Sequence, residues 1–147
     1  MTRSKAIDIA VILGKATLSA LGKDDMMRMV RNNIKFAKIE SEWEETRGAA
    51  HKRLKPEGWD GIEADLMRSV SELSAERRAE VIAAQRAFDK NLHECLDPLL
   101  DEEIEVDVET ISEDGLYNLI KANDVITGKG AVLLSETLTA PAATPEP

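Results

Sequence analysis

The residues able to do chemistry are few: His51, His93, Cys95 and a run of acids from Asp101 to Glu109. Zinc needs His, Cys or carboxylate ligands at close helical or loop spacing. The positions three before the two histidines hold Gly48 and Lys90, so neither a His-Glu-x-x-His nor a Glu-x-x-His ligand pair exists. A calcium loop counted from Asp101 requires Gly at its sixth place and Glu at its twelfth, and the chain has Val106 and Ser112 there. Thr127-Gly128-Lys129-Gly130 has the flavour of a phosphate loop. The full motif needs Gly at position 123 and Ser or Thr at 130, where Asn123 and Gly130 stand. A nucleophilic mechanism has only Cys95 or a serine to pair with two histidines, and no Gly-x-Ser-x-Gly elbow. With 28 acidic residues many carboxylate pairs are conceivable, and nothing selects one. The expectation is a protein without catalytic residues, metal or cofactor.

Composition narrows the partners. Acidic residues outnumber basic ones 28 to 19 over 147 residues, a formal net charge of −9. Neutralising a phosphate backbone takes a surplus of Lys and Arg, so nucleic acid is not an expected partner. The longest apolar run, Ile9 to Leu13, is far too short to cross a bilayer. No leader peptide is expected, because Asp8 interrupts the apolar stretch near the start. One cysteine allows no internal disulfide, which fits a reducing compartment. With two Trp, two Phe and one Tyr, packing falls to Ala, Leu, Ile, Val and Met, which suits helices.

The elements follow from periodicity and breakers. Ser4 is a candidate N-cap for a helix to about Leu21, followed by Gly22. Asp24 and Asp25 favour the start of a long helix reaching about Leu54. Its first half is apolar on more than one side (Met26, Met27, Met29, Val30, Ile34, Phe36), a width that calls for two neighbours. Lys55-Pro56-Glu57-Gly58 ends it, and Asp60 with Glu63 resembles a capping box for a short helix to about Leu73. Ser74 caps a second long helix, which Asp97-Pro98 should stop near Leu96, with Val81, Phe88, Leu92 and Cys95 on one face. The two long helices form an expected antiparallel hairpin.

From Asp101 to Ser112 the period changes to two. Ile104, Val106 and Val108 alternate with Glu105, Asp107 and Glu109, which predicts a half-buried strand over about 103–109. A lone strand needs a partner for its backbone. The N-terminal residues Met1 to Lys5, or a second chain by strand addition, could supply it. Glu105, Asp107 and Glu109 are then the candidate partner-facing residues. Ser112 and Thr127 cap two short helices, to about Ala122 and Leu138. The expected fold is mainly α: one helical domain over 1–138, with a Pro-rich, disordered tail over 139–147.

Several short motifs in this order resemble a family of small uncharacterised proteins encoded by tailed phages and prophages. They are Ala10 to Lys15, Arg31 to Lys35, the polar stretch Glu42 to Arg47, the turn from Leu54 to Asp60, and the acidic alternation from Leu99 to Ser112. The resemblance covers roughly residues 4 to 138, and the acidic stretch is its most specific part. It implies an accessory or virion-associated protein acting in a bacterial cell, and it carries over no catalytic or ligand residue.

The leading expectation is therefore a non-enzymatic interaction protein in the bacterial cytoplasm, binding a protein partner or itself. Alternatives are a virion head or tail accessory, and an acidic inhibitor of a host defence protein that presents Glu105, Asp107 and Glu109. A buried strand face would also make Val106→Asp the most damaging single substitution.

Overall fold

Thr2, not Ser4, opens the first helix: its hydroxyl accepts the Lys5 N–H at 3.2 Å. The computed structural model describes residues 1–140, the side chain of Val70 excepted, and the Pro-rich stretch from 141 lies outside them. Among the described residues are six α-helices: α1 (Arg3–Lys15), α2 (Lys23–Leu54), α3 (Trp59–Leu66), α4 (Ala75–Leu100), α5 (Glu113–Ala122) and α6 (Gly128–Leu138). A 3₁₀ turn, Val70–Glu72, lies between α3 and α4. The chain is mainly helical, as its composition suggested.

The chain divides into two compact units. The first comprises residues 1–43 together with 102–140. Its core takes Ile9 and Leu13 from α1, Met29 and Phe36 from α2, Leu119 from α5 and Leu134 and Leu138 from α6, with Ile111 and Ile126 from the connections. Helix α1 stops at Lys15, short of the expected Leu21, for a tertiary reason. The buried Asn123 side chain accepts the Thr17 N–H at 2.7 Å and donates to the Thr17 carbonyl at 2.9 Å. Those backbone groups are satisfied outside a helix, so nothing draws residues 16–21 into one.

The expected strand does not form: among the described residues there is no strand, only an isolated antiparallel bridge between Thr2 and Glu103. The backbone around it is tied to the N-terminus. Arg3 N–H donates to the Glu102 carbonyl at 2.9 Å and Ile104 N–H to the Met1 carbonyl at 2.8 Å. The Met1 ammonium donates to the Ile104 carbonyl at 3.1 Å. Beyond Ile104 the segment is extended, with Ile104, Val106 and Val108 half-buried against the core and Glu105 and Asp107 exposed. The period of two was thus a signature of extended backbone on an apolar surface, and that surface belongs to helices.

The second unit, residues 44–101, holds the end of α2, α3 and α4. Both long helices expected from the sequence are present, and His51 of α2 meets the ring of Phe88 in α4 edge-on at 4.9 Å. Trp59 tilts against the same ring at 4.6 Å. Helix α3 starts at Trp59 after Gly58, whose φ of 73° suits the one residue type without a Cβ. Asp60 therefore sits in the first turn instead of at the cap, where it pairs with Lys55 at 2.7 Å. Helix α3 ends at Leu66, earlier than the expected Leu73. Helix α4 is capped by Ser74 as expected, but runs through Pro98 to Leu100. A proline this close to the end removes one intrahelical hydrogen bond, and the last turn still closes from Asp101 N–H to the Asp97 carbonyl at 3.2 Å.

Candidate functional site

The acidic segment is held against α2 by side chains of that helix, which take the place of a neighbouring strand. Asn32 donates to the Glu109 carbonyl at 2.8 Å and accepts the Glu109 N–H at 2.9 Å. Lys35 donates to the Asp107 carbonyl at 2.6 Å. Two turns before Asn32, Asp25 accepts the Ser112 hydroxyl at 2.6 Å and its N–H at 3.3 Å. Residues 25, 32 and 35 lie at helical spacing, so one face of α2 meets the extended backbone along its length.

This arrangement treats the three candidate carboxylates differently. Glu105 and Asp107 point to solvent. Glu109 is engaged by Arg31 through two hydrogen bonds, at 2.6 and 2.9 Å. That bidentate pairing holds the Glu109 carboxyl below its ordinary value, against a smaller opposing effect of burial, with Lys35 and Arg28 adding to it. The same hydrogen bond raises the Arg31 guanidinium. Of the three, Glu105 and Asp107 are the ones whose carboxylates are presented outward.

The other candidate residues are dispersed in local roles. The His93 ring nitrogen Nδ1 lies 3.3 Å from Asp97 Oδ1, one turn on, and both are exposed. The Cys95 sulfur accepts from Arg53 at 3.0 Å. Thr127 caps α6, accepting the Gly130 N–H at 3.3 Å. No group of three or more His, Cys, Asp or Glu among the described residues is placed to hold a metal ion. Nor is any described helix long and apolar enough to cross a membrane.

Two apolar surfaces were not singled out from the sequence. One is a groove of about 500 Å³ between α5 and α6, floored by Leu116, Ile120 and Ala131. Tyr117 and Val132 stand over it 62% and 59% exposed, and Glu113 and Glu136 edge it. Lys121 lies 5.8 Å above the Tyr117 ring. Its signal in the sequence was faint: the only Tyr of the chain, beside the apolar stripe of α5. The other is a row of exposed apolar residues on α2, at Met27, Val30 and Ile34. The apolar width of that helix was legible, but not which side would stay uncovered. Compared with protein-family models, with curated proteins and with solved structures, the chain matches none of them.

Proposed function

We propose that the protein is a non-enzymatic interaction protein of a tailed phage or prophage, acting inside a bacterial cell. The resemblance of its motifs to that family supports the phage context. The observation that carries the interaction role is the α5–α6 groove, where an aromatic and a branched side chain stay exposed over an apolar floor. Contiguous apolar surface of this kind marks a binding site more often than a scattered exposed residue does.

The occupant we assign is an amphipathic helix of a partner protein whose apolar stripe is edged by Lys or Arg. Two helices at close range present a trough that a third can fill with residues at i, i+3 or i+4, and i+7. Glu113 and Glu136 at the rim, in a chain of net charge −9, favour basic flanks. Lys5 reaches Glu136 at 3.5 Å, so Glu113 carries the larger share of that preference.

Labelled amphipathic peptides with one Leu seam and either Lys or Glu flanks test the reading by fluorescence anisotropy on the full chain. The Lys-flanked peptide binds, and Tyr117→Asp with Val132→Asp abolishes the signal. Equal binding of both peptides, or binding that survives the double substitution, ends the proposal. Mass spectrometry of purified phage particles separates an intracellular role from the virion-accessory alternative.

A further inference from the structure

Helix α2 is apolar on two sides, and the described residues cover only one. Met29, Asn32 and Phe36 face the core and are fully buried. A second row, Met27, Val30, Ile34 and Ala37, is exposed, the first three at 45%, 36% and 66%. Its spacing of three, four and three is the a/d pattern of a helix-pairing seam. The row extends over about 15 Å of helix.

We infer that this seam pairs α2 with α2 of a second copy of the chain, in antiparallel orientation. Two observations select a second copy over a foreign helix. The first is symmetry. The row reads the same in both directions about residue 32, so an antiparallel pair sets Met27 against Ala37 of the second copy and Val30 against Ile34. Large meets small, branched meets branched, and one patch serves both chains, as a two-fold contact requires.

The second observation is charge. Two chains of net charge −9 repel unless they meet on a face whose charges are already balanced. Immediately beside the seam runs a row of cations, Arg28, Arg31, Lys35 and Lys38. Each has a carboxylate of its own chain within reach: Asp25 at 3.9 Å, Glu109 at 2.6 Å, Asp107 at 4.0 Å and Glu42 at 3.9 Å. Cations that the pairing brings towards one another arrive with their counter-ions. An acidic foreign helix has to compete with those carboxylates, and a basic one gains nothing. A seam this short buries less than a standard permanent interface, so the pair is weak and concentration-dependent.

This pairing uses a different surface from the α5–α6 groove, and the two are tested separately. Sedimentation equilibrium of the full chain, from low micromolar to near-millimolar concentration, should show the average mass climbing from 16.2 kDa towards twice that value. Ile34→Lys should hold it at the monomer mass, with helical circular dichroism and Lys-flanked peptide binding unchanged, since the Ile34 side chain is largely exposed and lies outside the core cluster. A monomer at every concentration, or association that Ile34→Lys leaves intact, overturns the inference. Orientation is read in a Cys95→Ser background. Val30→Cys chains mixed with Ile34→Cys chains should form disulfide-linked dimers that neither forms alone, because only the mixed pair comes within bonding reach. Cross-linking of either variant with itself overturns the antiparallel register.

Discussion

Asn32 holds Glu109 by its backbone, not its side chain. The fully buried amide accepts the Glu109 N–H at 2.9 Å and donates to its carbonyl at 2.8 Å, the pair of bonds that a neighbouring strand would otherwise make. Arg31, one residue earlier, grips the carboxylate of the same residue at 2.6 Å. One turn of α2 thus fixes both the path of the extended segment and the direction of its acidic side chain.

Asn32→Ala should be strongly destabilising. It leaves a backbone donor and a backbone acceptor partly buried without partners, at about 1–3 kcal/mol each. A loss of about 2–6 kcal/mol in urea unfolding is expected, and a loss below about 0.5 kcal/mol would show that water replaces the amide.

The Arg31–Glu109 pair makes stability pH-dependent. Because the Glu109 carboxyl is held below its ordinary value in the folded chain, its contribution is present above the unfolded glutamate value of about 4.3. It is lost as pH falls through the lower folded value. Glu109→Gln should therefore lower the thermal midpoint at neutral pH and converge on wild type in acid. A constant gap between the two proteins from pH 7 to pH 3 would mean that the carboxylate makes no specific contribution. Added salt should narrow the neutral gap, since the pair is partly exposed.

Val106→Asp takes a different rank in the structure from the one its alternating pattern suggested. Val106 is half-buried, whereas Leu134 is fully buried at the centre of the first unit. A carboxylate at 106 can turn towards water, at a cost of about 1–3 kcal/mol, while at Leu134 it cannot, and about 4 kcal/mol or more is expected. Equal losses in the two variants would place Val106 in the core after all.

Most helices could be read from the chain, because caps and breakers are local. Ser74, Ser112 and Thr127 each accept the backbone N–H three residues on, as Ser and Thr before an apolar-periodic run should. Two of the misreadings share one cause, a partner distant in sequence. Asn123 ends α1 from more than a hundred residues away. The alternation from Ile104 to Glu109 was real, but whether strand or helix would complete it depended on Asn32 and Lys35, and a polar residue inside a helix does not announce what it will bond. The candidate carboxylates were likewise visible as a set, whereas the withdrawal of Glu109 by Arg31 was not.

Two glycines should respond to alanine with opposite signs. Gly48 lies in α2 with open space around it, so Gly48→Ala gains helix propensity of about 0.5–1 kcal/mol. At Gly115 an added Cβ collides with the Asp25 carboxylate, the group that accepts from Ser112. Gly115→Ala should be destabilising despite the same propensity gain, and the loss should shrink in Asp25→Ala. Stabilisation by Gly115→Ala would show that Asp25 can move aside freely.

The two tryptophans divide between the two compact units, Trp43 in the first and Trp59 in the second, so each reports on its own surroundings. Among the described residues the second unit buries few apolar side chains, Ala50, Trp59, Val81 and Phe88, against the larger cluster of the first. A small buried set offsets less of the entropy of ordering the chain. The segment 44–101 should accordingly lose its structure at lower denaturant than the rest. Trp43→Phe, which leaves Trp59 as the reporter, should give a fluorescence midpoint below that of Trp59→Phe. To correct for the stability each substitution itself removes, both curves are compared with far-ultraviolet circular dichroism of the same variant. Fluorescence should precede the loss of helix in Trp43→Phe and follow it in Trp59→Phe. Coincident curves in both variants would mean that α2 couples the two units into the single cooperative domain over 1–138 that the sequence suggested.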